Sequence, residues 1–124
     1  MSEKIDVGMA PSSAPVSDCI RAGKQVWLVA VAEDPATGEI VHGDIGVQTR
    51  RTLDNLKRAI TAAGGSMTDI VQVQVFLTDK ADSAGMNAVY RQYFSEPYPV
   101  RATVIAGLLA EGLKVEMLAT AVLG

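Results

Sequence analysis

Apolar positions along this chain change period, and each change marks an element. Residues 1–18 follow neither a helical nor a strand period. Their APSSAPVSD stretch is rich in Ser, Pro and Ala, and each proline turns its predecessor away from helix, so an extended lead-in is expected. Cys19–Arg21 reads as a short strand, Ala22-Gly23-Lys24 as a tight turn, and Gln25–Ala32 as the returning strand. VWLVAVA contains no polar residue, the pattern of a strand covered on both faces. DPATGE then reads as a turn, with Pro35 fixing φ and Gly38 allowing a positive one.

From Asp44 the period becomes helical. Asp44 is a good cap for a helix over Ile45–Ala63, with Val47, Leu53, Leu56, Ile60 and Ala63 near one stripe. Arg50, Arg51, Lys57 and Arg58 take most of the remaining surface, and Gly64-Gly65 stops the helix. IVQVQVFLT alternates, so Val71, Val73, Val75 and Leu77 point one way, with Gln72, Gln74 and Phe76 opposite. A second helix is expected over Ser83–Phe94, capped by Asp82, with Met86, Val89, Tyr90 and Phe94 as its stripe. Pro97 and Pro99 end it. Arg101–Ile105 is a strand, Leu108–Gly112 a loop, and KVEMLATAVLG a last strand that is mostly apolar on both faces.

The order β-β-α-β-α-β-β predicts one α+β domain over residues 1–124, with a mixed sheet and two helices on one face. Two helices cannot cover both faces of such a sheet. Strands that read as buried on both sides therefore call for a second layer, which closed oligomerisation supplies. Charge narrows the partners. The net charge is −3, no Lys/Arg run exceeds two, and no aromatics interleave a basic patch, so nucleic acid is not the expected partner. One cysteine and one histidine exclude a disulfide framework and a Cys/His metal cluster. No apolar run reaches spanning length and the N-terminus has no apolar targeting core, so a cytoplasmic protein with no membrane partner is expected.

Few residues carry candidate chemistry. Arg101 lies between a Pro-Tyr-Pro turn and an apolar run. It can be a carboxylate clamp, a strand-edge residue, or half of a subunit salt bridge. Cys19 has no histidine relay and reads as a buried or interface thiol. His42 reads as exposed, and Trp27 as packed within its strand.

Taken together, DPATGEIV, QTRRTLDNLKRAITAAGGSMTDIVQVQVFLTD, MNAVYRQYF, PYPVRATV and KVEMLATAV occur in an order and spacing that resembles the RidA/YjgF family of imine and enamine deaminases, from about Ala14 onward. The resemblance implies a chorismate-mutase-like domain in a homotrimer with clefts between subunits. It also implies cofactor-free, metal-free hydrolysis of a 2-imino or enamine acid to the keto acid and ammonia. Arg101 falls on the family arginine that grips the substrate carboxylate. Asn87 falls on a helix asparagine and Thr103 on a cleft-lining cysteine, while Tyr98, just before the arginine strand, either stacks on a ligand at the cleft rim or packs against the second helix. The family tyrosine is Val16 here, the serine-glycine pair is roughly Val29-Ala30, and the water-handling glutamate is Leu118. Glu116, two residues earlier on the same strand face, and Glu111, in the AEG loop before the last strand, are the remaining acid/base candidates, with Glu116 also readable as a structural or interface carboxylate. The implied ligand is a small carboxylate-bearing molecule. The loss at Leu118 supports a second expectation, a homotrimer that binds such a ligand without turning it over.

Overall fold

The computed structural model spans residues 1–124. Strand β1 (Ser2–Lys4) is followed by β2 (Cys19–Ala22), β3 (Gln25–Val31), α1 (Ile45–Ala62), β4 (Ile70–Leu77), α2 (Ser83–Tyr93), β5 (Val100–Ile105) and β6 (Val115–Val122). The strands form one mixed sheet in the order β1-β2-β3-β6-β4-β5. Only β4 and β5 are parallel, with α2 as their crossover. Both helices lie on one face of the sheet. The core between the layers is built from Val26, Leu28, Val73, Val75, Met117 and Ala121 on the sheet and from Leu53, Leu56, Ile60 and Met86 on the helices.

The local signals act largely as expected. Gly23, at φ 61°, makes the two-residue turn that pairs Ala22 with Gln25. The Asp44 carboxylate accepts the Val47 N–H at 2.9 Å. At the other end of α1, Gly64 adopts φ 94°, and the Gly65 and Gly64 N–H groups reach the Ile60 and Thr61 carbonyls at 2.9 and 3.0 Å. This double closure satisfies carbonyls the helix leaves orphaned.

Four expectations are corrected. The lead-in contains a strand, β1, whose SEK sequence has no apolar pattern because both its faces are exposed. It forms by pairing its backbone with the edge of β2, Ser2 opposite Ala22. Val71 is exposed rather than in the core row, because a register irregularity between Ile70 and Gln72 gives Ile70 the buried place. Val47 is exposed, and the stripe of α1 instead buries the polar Gln48, Thr49, Thr52 and Asn55. Gln48, Thr52 and Asn55 find backbone partners, whereas the buried Thr49 hydroxyl has none. Gln48 donates to the Gly112 carbonyl at 2.8 Å and accepts the Lys114 N–H at 2.7 Å, pinning the loop before β6. Asn55 donates to the carbonyls of Val31 and Glu33. Asp82 makes no capping bond, and Asp79 instead caps a single 3₁₀ turn, Lys80–Asp82, through the Ala81 N–H.

Coverage within one chain is one-sided, as two helices on one face require. β3 and β6 bury alternate residues only, and their other side chains form an open face. Trp27 is 41% exposed and Leu118 49% exposed, so Trp27, read as packed within its strand, is only partly covered by its own chain. Strand register sets out this face in rows. Trp27, Thr120, Gln72 and Val100 form one, Val29, Leu118, Gln74 and Ala102 the next, and Val31, Glu116, Phe76 and Val104 a third.

Candidate active site

Arg101 sits on β5, an edge strand whose residues are all exposed. Its register partner is Val73, which faces the helices. Arg101 therefore turns toward α2 and away from the open face. One of its N–H groups lies 3.9 Å from Met86 Sδ, and the guanidinium carbon stands 4.7 Å from the centre of the Tyr90 ring. That ring is itself packed on Phe94, 4.5 Å between centroids. A cation over an aromatic face gains about 0.5–2 kcal/mol, more as water is excluded. The contact holds the guanidinium against the ring, where it lines a cleft.

The Tyr90 hydroxyl is buried and has no hydrogen-bond partner. Burial pushes the phenol up to about 12, with nearby Arg101 acting in the opposite direction. Tyr90 is therefore protonated at neutral pH and is no general base.

Around this pair lies a cleft of about 260 Å³ lined by Asn87, Tyr90, Arg91, Tyr98, Pro99 and Arg101. The sequence singles out three of the six, Asn87, Tyr98 and Arg101, and the fold brings them together. α2 supplies Asn87, Tyr90 and Arg91, which share one helix face because three and four residues separate them. That spacing was available in the sequence, where Tyr90 reads only as part of the apolar stripe and Arg91 goes unremarked. Thr103 shares the Arg101 side of β5 but does not line the cleft.

No carboxylate lines this cleft. Leu118, Val29 and Glu116 lie on the open face, with Leu118 between Val29 and Gln74 in register and Glu116 between Val31 and Phe76. The sheet separates this group from Arg101. Val16 is exposed in the N-terminal segment and lines another cavity, of about 370 Å³, with Lys4, Met9, Pro11 and Asp18 among its neighbours. That segment is tied to the Val29 side, since the Val29 N–H donates to the Asp18 carbonyl at 3.0 Å. Glu111 is exposed in the loop after β5 and is not part of the Arg101 cleft. Within one chain the candidates thus form two groups. Arg101, Asn87 and Tyr98 are on the helix side, and Val29, Leu118 and Glu116 are on the open face.

The remaining reactive side chains do not join either group. Cys19 is buried, and its thiol is pushed up to about 11, chiefly by burial and then by Asp18. It stays a thiol at neutral pH. His42 is exposed and packs over Gly112, where a Cβ would come within 2.7 Å of the imidazole. No cluster of His, Cys, Asp and Glu has metal-binding geometry, and no helix is long and apolar enough to cross a membrane.

A family model described as Endoribonuclease L-PSP matches residues 8–123. A RutC family protein of Pyrococcus horikoshii is 42% identical over 123 residues, covering 98% of each chain. The 2-iminobutanoate/2-iminopropanoate deaminase of Bos taurus is 32% identical over 122 residues, 97% of this chain and 89% of that one. Among solved structures, RidA of a Psychrobacter species superposes with TM-score 0.90 at 32% identity, covering 98% and 99% of the two chains. Escherichia coli TdcF with bound serine gives 0.88 at 34% identity, with the same coverage.

Proposed function

The chain belongs to the Endoribonuclease L-PSP family, the RidA/YjgF group, and from that premise we propose that it hydrolyses a small 2-imino or enamine acid to the keto acid and ammonia. The observation that carries the reading is Arg101. Its guanidinium is stacked on Tyr90, bonded to no carboxylate, and open to a small cleft. The planar donor fork of arginine matches a carboxylate through two parallel hydrogen bonds. Tyr90 orients the fork, and Asn87 offers an amide that can donate or accept. Water adds to the imine carbon, the resulting carbinolamine loses ammonia, and the keto acid leaves. Orientation of an already reactive imine supplies much of the rate gain.

The water-handling part of the site lies elsewhere. With the Leu118 group across the sheet, we assign the second wall of each cleft to another copy of the chain, in a closed homotrimer. Support comes from the uncovered face, where Trp27, Leu118, Val104 and Val122 are exposed large apolar residues. A second reading, ligand binding without turnover, draws on one observation. The residue in the family glutamate's place is Leu118, which neither accepts a proton nor holds water.

The test generates imino acids in situ from several amino acids and follows keto-acid formation with wild type and Arg101→Ala. Acceleration that falls at least 100-fold in Arg101→Ala supports the enzyme reading. Binding of a carboxylate ligand without acceleration supports the second. Wild-type acceleration that survives Arg101→Ala overturns the clamp.

A further inference from the structure

The Arg101 cleft contains more positive charge than a single carboxylate neutralises. Arg91, from the last turn of α2, is the second guanidinium among its six lining residues. No acidic side chain is among them, although the chain as a whole carries a net charge of −3. Both arginines are exposed at the cleft, and an anion between them meets two positive charges at once. The two arginines approach from different elements, Arg101 from the edge strand and Arg91 from the helix that crosses over to it. One planar carboxylate can occupy one fork. It leaves the other without a counter-charge.

The rest of the lining adds shape. Tyr98 is 47% exposed at the rim, and the Tyr90 ring, whose buried hydroxyl lacks a partner, floors the Arg101 side. The part of the cleft that one chain encloses is about 260 Å³. Flat, unsaturated carbon between two anionic ends suits aromatic walls and cationic ends together.

We propose that the preferred substrate is a dicarboxylic imino or enamine acid, its 2-imino carboxylate on Arg101 and its distal carboxylate on Arg91. The assignment rests on the deaminase reading of the same cleft, and it makes Arg91 a specificity determinant. A monocarboxylic imine uses Arg101 alone. A dicarboxylic one gains a second charge-assisted contact, which is stronger than a neutral hydrogen bond.

The experiment compares kcat/KM on imino acids generated in situ from alanine and norvaline with those from aspartate and glutamate, using the assembled full-length protein. Wild type is expected to favour the dicarboxylic imines at least tenfold. Arg91→Ala should erase that preference, lowering kcat/KM tenfold or more on the diacids and less than twofold on the monoacids. Arg91→Lys should restore part of it. Arg101→Ala should reduce both classes. Equal losses on both classes in Arg91→Ala, or wild-type preference for the monoacids, overturn the proposal. Calorimetric titration with succinate and with propionate separates this inference from hydrolysis itself. If no imine is turned over but succinate binds tighter than propionate in an Arg91-dependent manner, the diacid site stands and the enzyme reading falls. Equal affinity for the two acids removes the diacid site whatever the turnover.

Discussion

Replacing Tyr90 with phenylalanine removes one oxygen and keeps the ring beneath Arg101. In the native chain that oxygen is buried without a partner. Burying an unsatisfied polar group costs about 1–3 kcal/mol, and the aromatic contacts with Arg101 and Phe94 need only the ring. Tyr90→Phe should therefore stabilise the fold by about 1 kcal/mol, a rise in Tm of roughly 3–5 °C for a domain of this length. A thermal melt at neutral pH reads the shift. A pH series adds a check with a defined sign. The phenol is raised from its ordinary value of 10 to about 12 in the fold, so the unfolded chain releases this proton first. Wild type keeps the contribution in full below pH 10 and loses it as pH rises toward 12, whereas the variant lacks that loss. Its advantage should thus widen above pH 10. Steady-state kinetics on the same variant should show an unchanged KM. A fall in Tm would mean that the hydroxyl has a partner worth keeping. A raised KM with unchanged kcat would mean that the hydroxyl, and not just the ring, meets the ligand.

Two other perturbations probe the scaffold and the open face. Gln48→Ala leaves the Gly112 carbonyl and the Lys114 N–H without their partner, and should lower stability by about 3 kcal/mol in a denaturant titration. A loss below about 0.5 kcal/mol would refute its pinning role. Trp27→Glu places a charge on the uncovered sheet face and should convert an assembly of 13.1 kDa chains to monomers in light scattering, with loss of activity. An unchanged mass would show that this part of the face lies outside the contact.

Much of the fold was legible because its signals are local. The Asp44 cap, the Gly64-Gly65 stop, the Gly23 turn and the alternation from Val73 onward each depend on a few neighbouring residues. What failed depended on partners distant in sequence. β1 has no pattern of its own and exists through the backbone of β2. Gln48 and Asn55 look like surface residues until the carbonyls they serve are brought beneath them. The apolar run in β3 suggested cover on both faces, but one chain supplies cover for only one. At the candidate site, Arg101, Asn87 and Tyr98 were identifiable from their places in recognisable stretches. Arg91 was concealed because an arginine near a helix end already has an ordinary explanation, favourable interaction with the helix dipole. Sequence proximity was equally silent about sides. Arg101 and Leu118 lie on strands that are consecutive in the chain, and nothing short of register reveals that they face opposite ways.

That opposition constrains how copies can combine. A contact that sets the Arg101 side of one chain against the Leu118 side of another joins unlike surfaces, so it cannot be its own mirror in a two-fold dimer. Head-to-tail joints either close into a ring or continue without end. In a ring every chain is used twice, once by each surface, and there are as many composite clefts as chains. A lone chain then owns two unmatched halves and no complete cleft. Dilution would extinguish such a site without unfolding a single molecule.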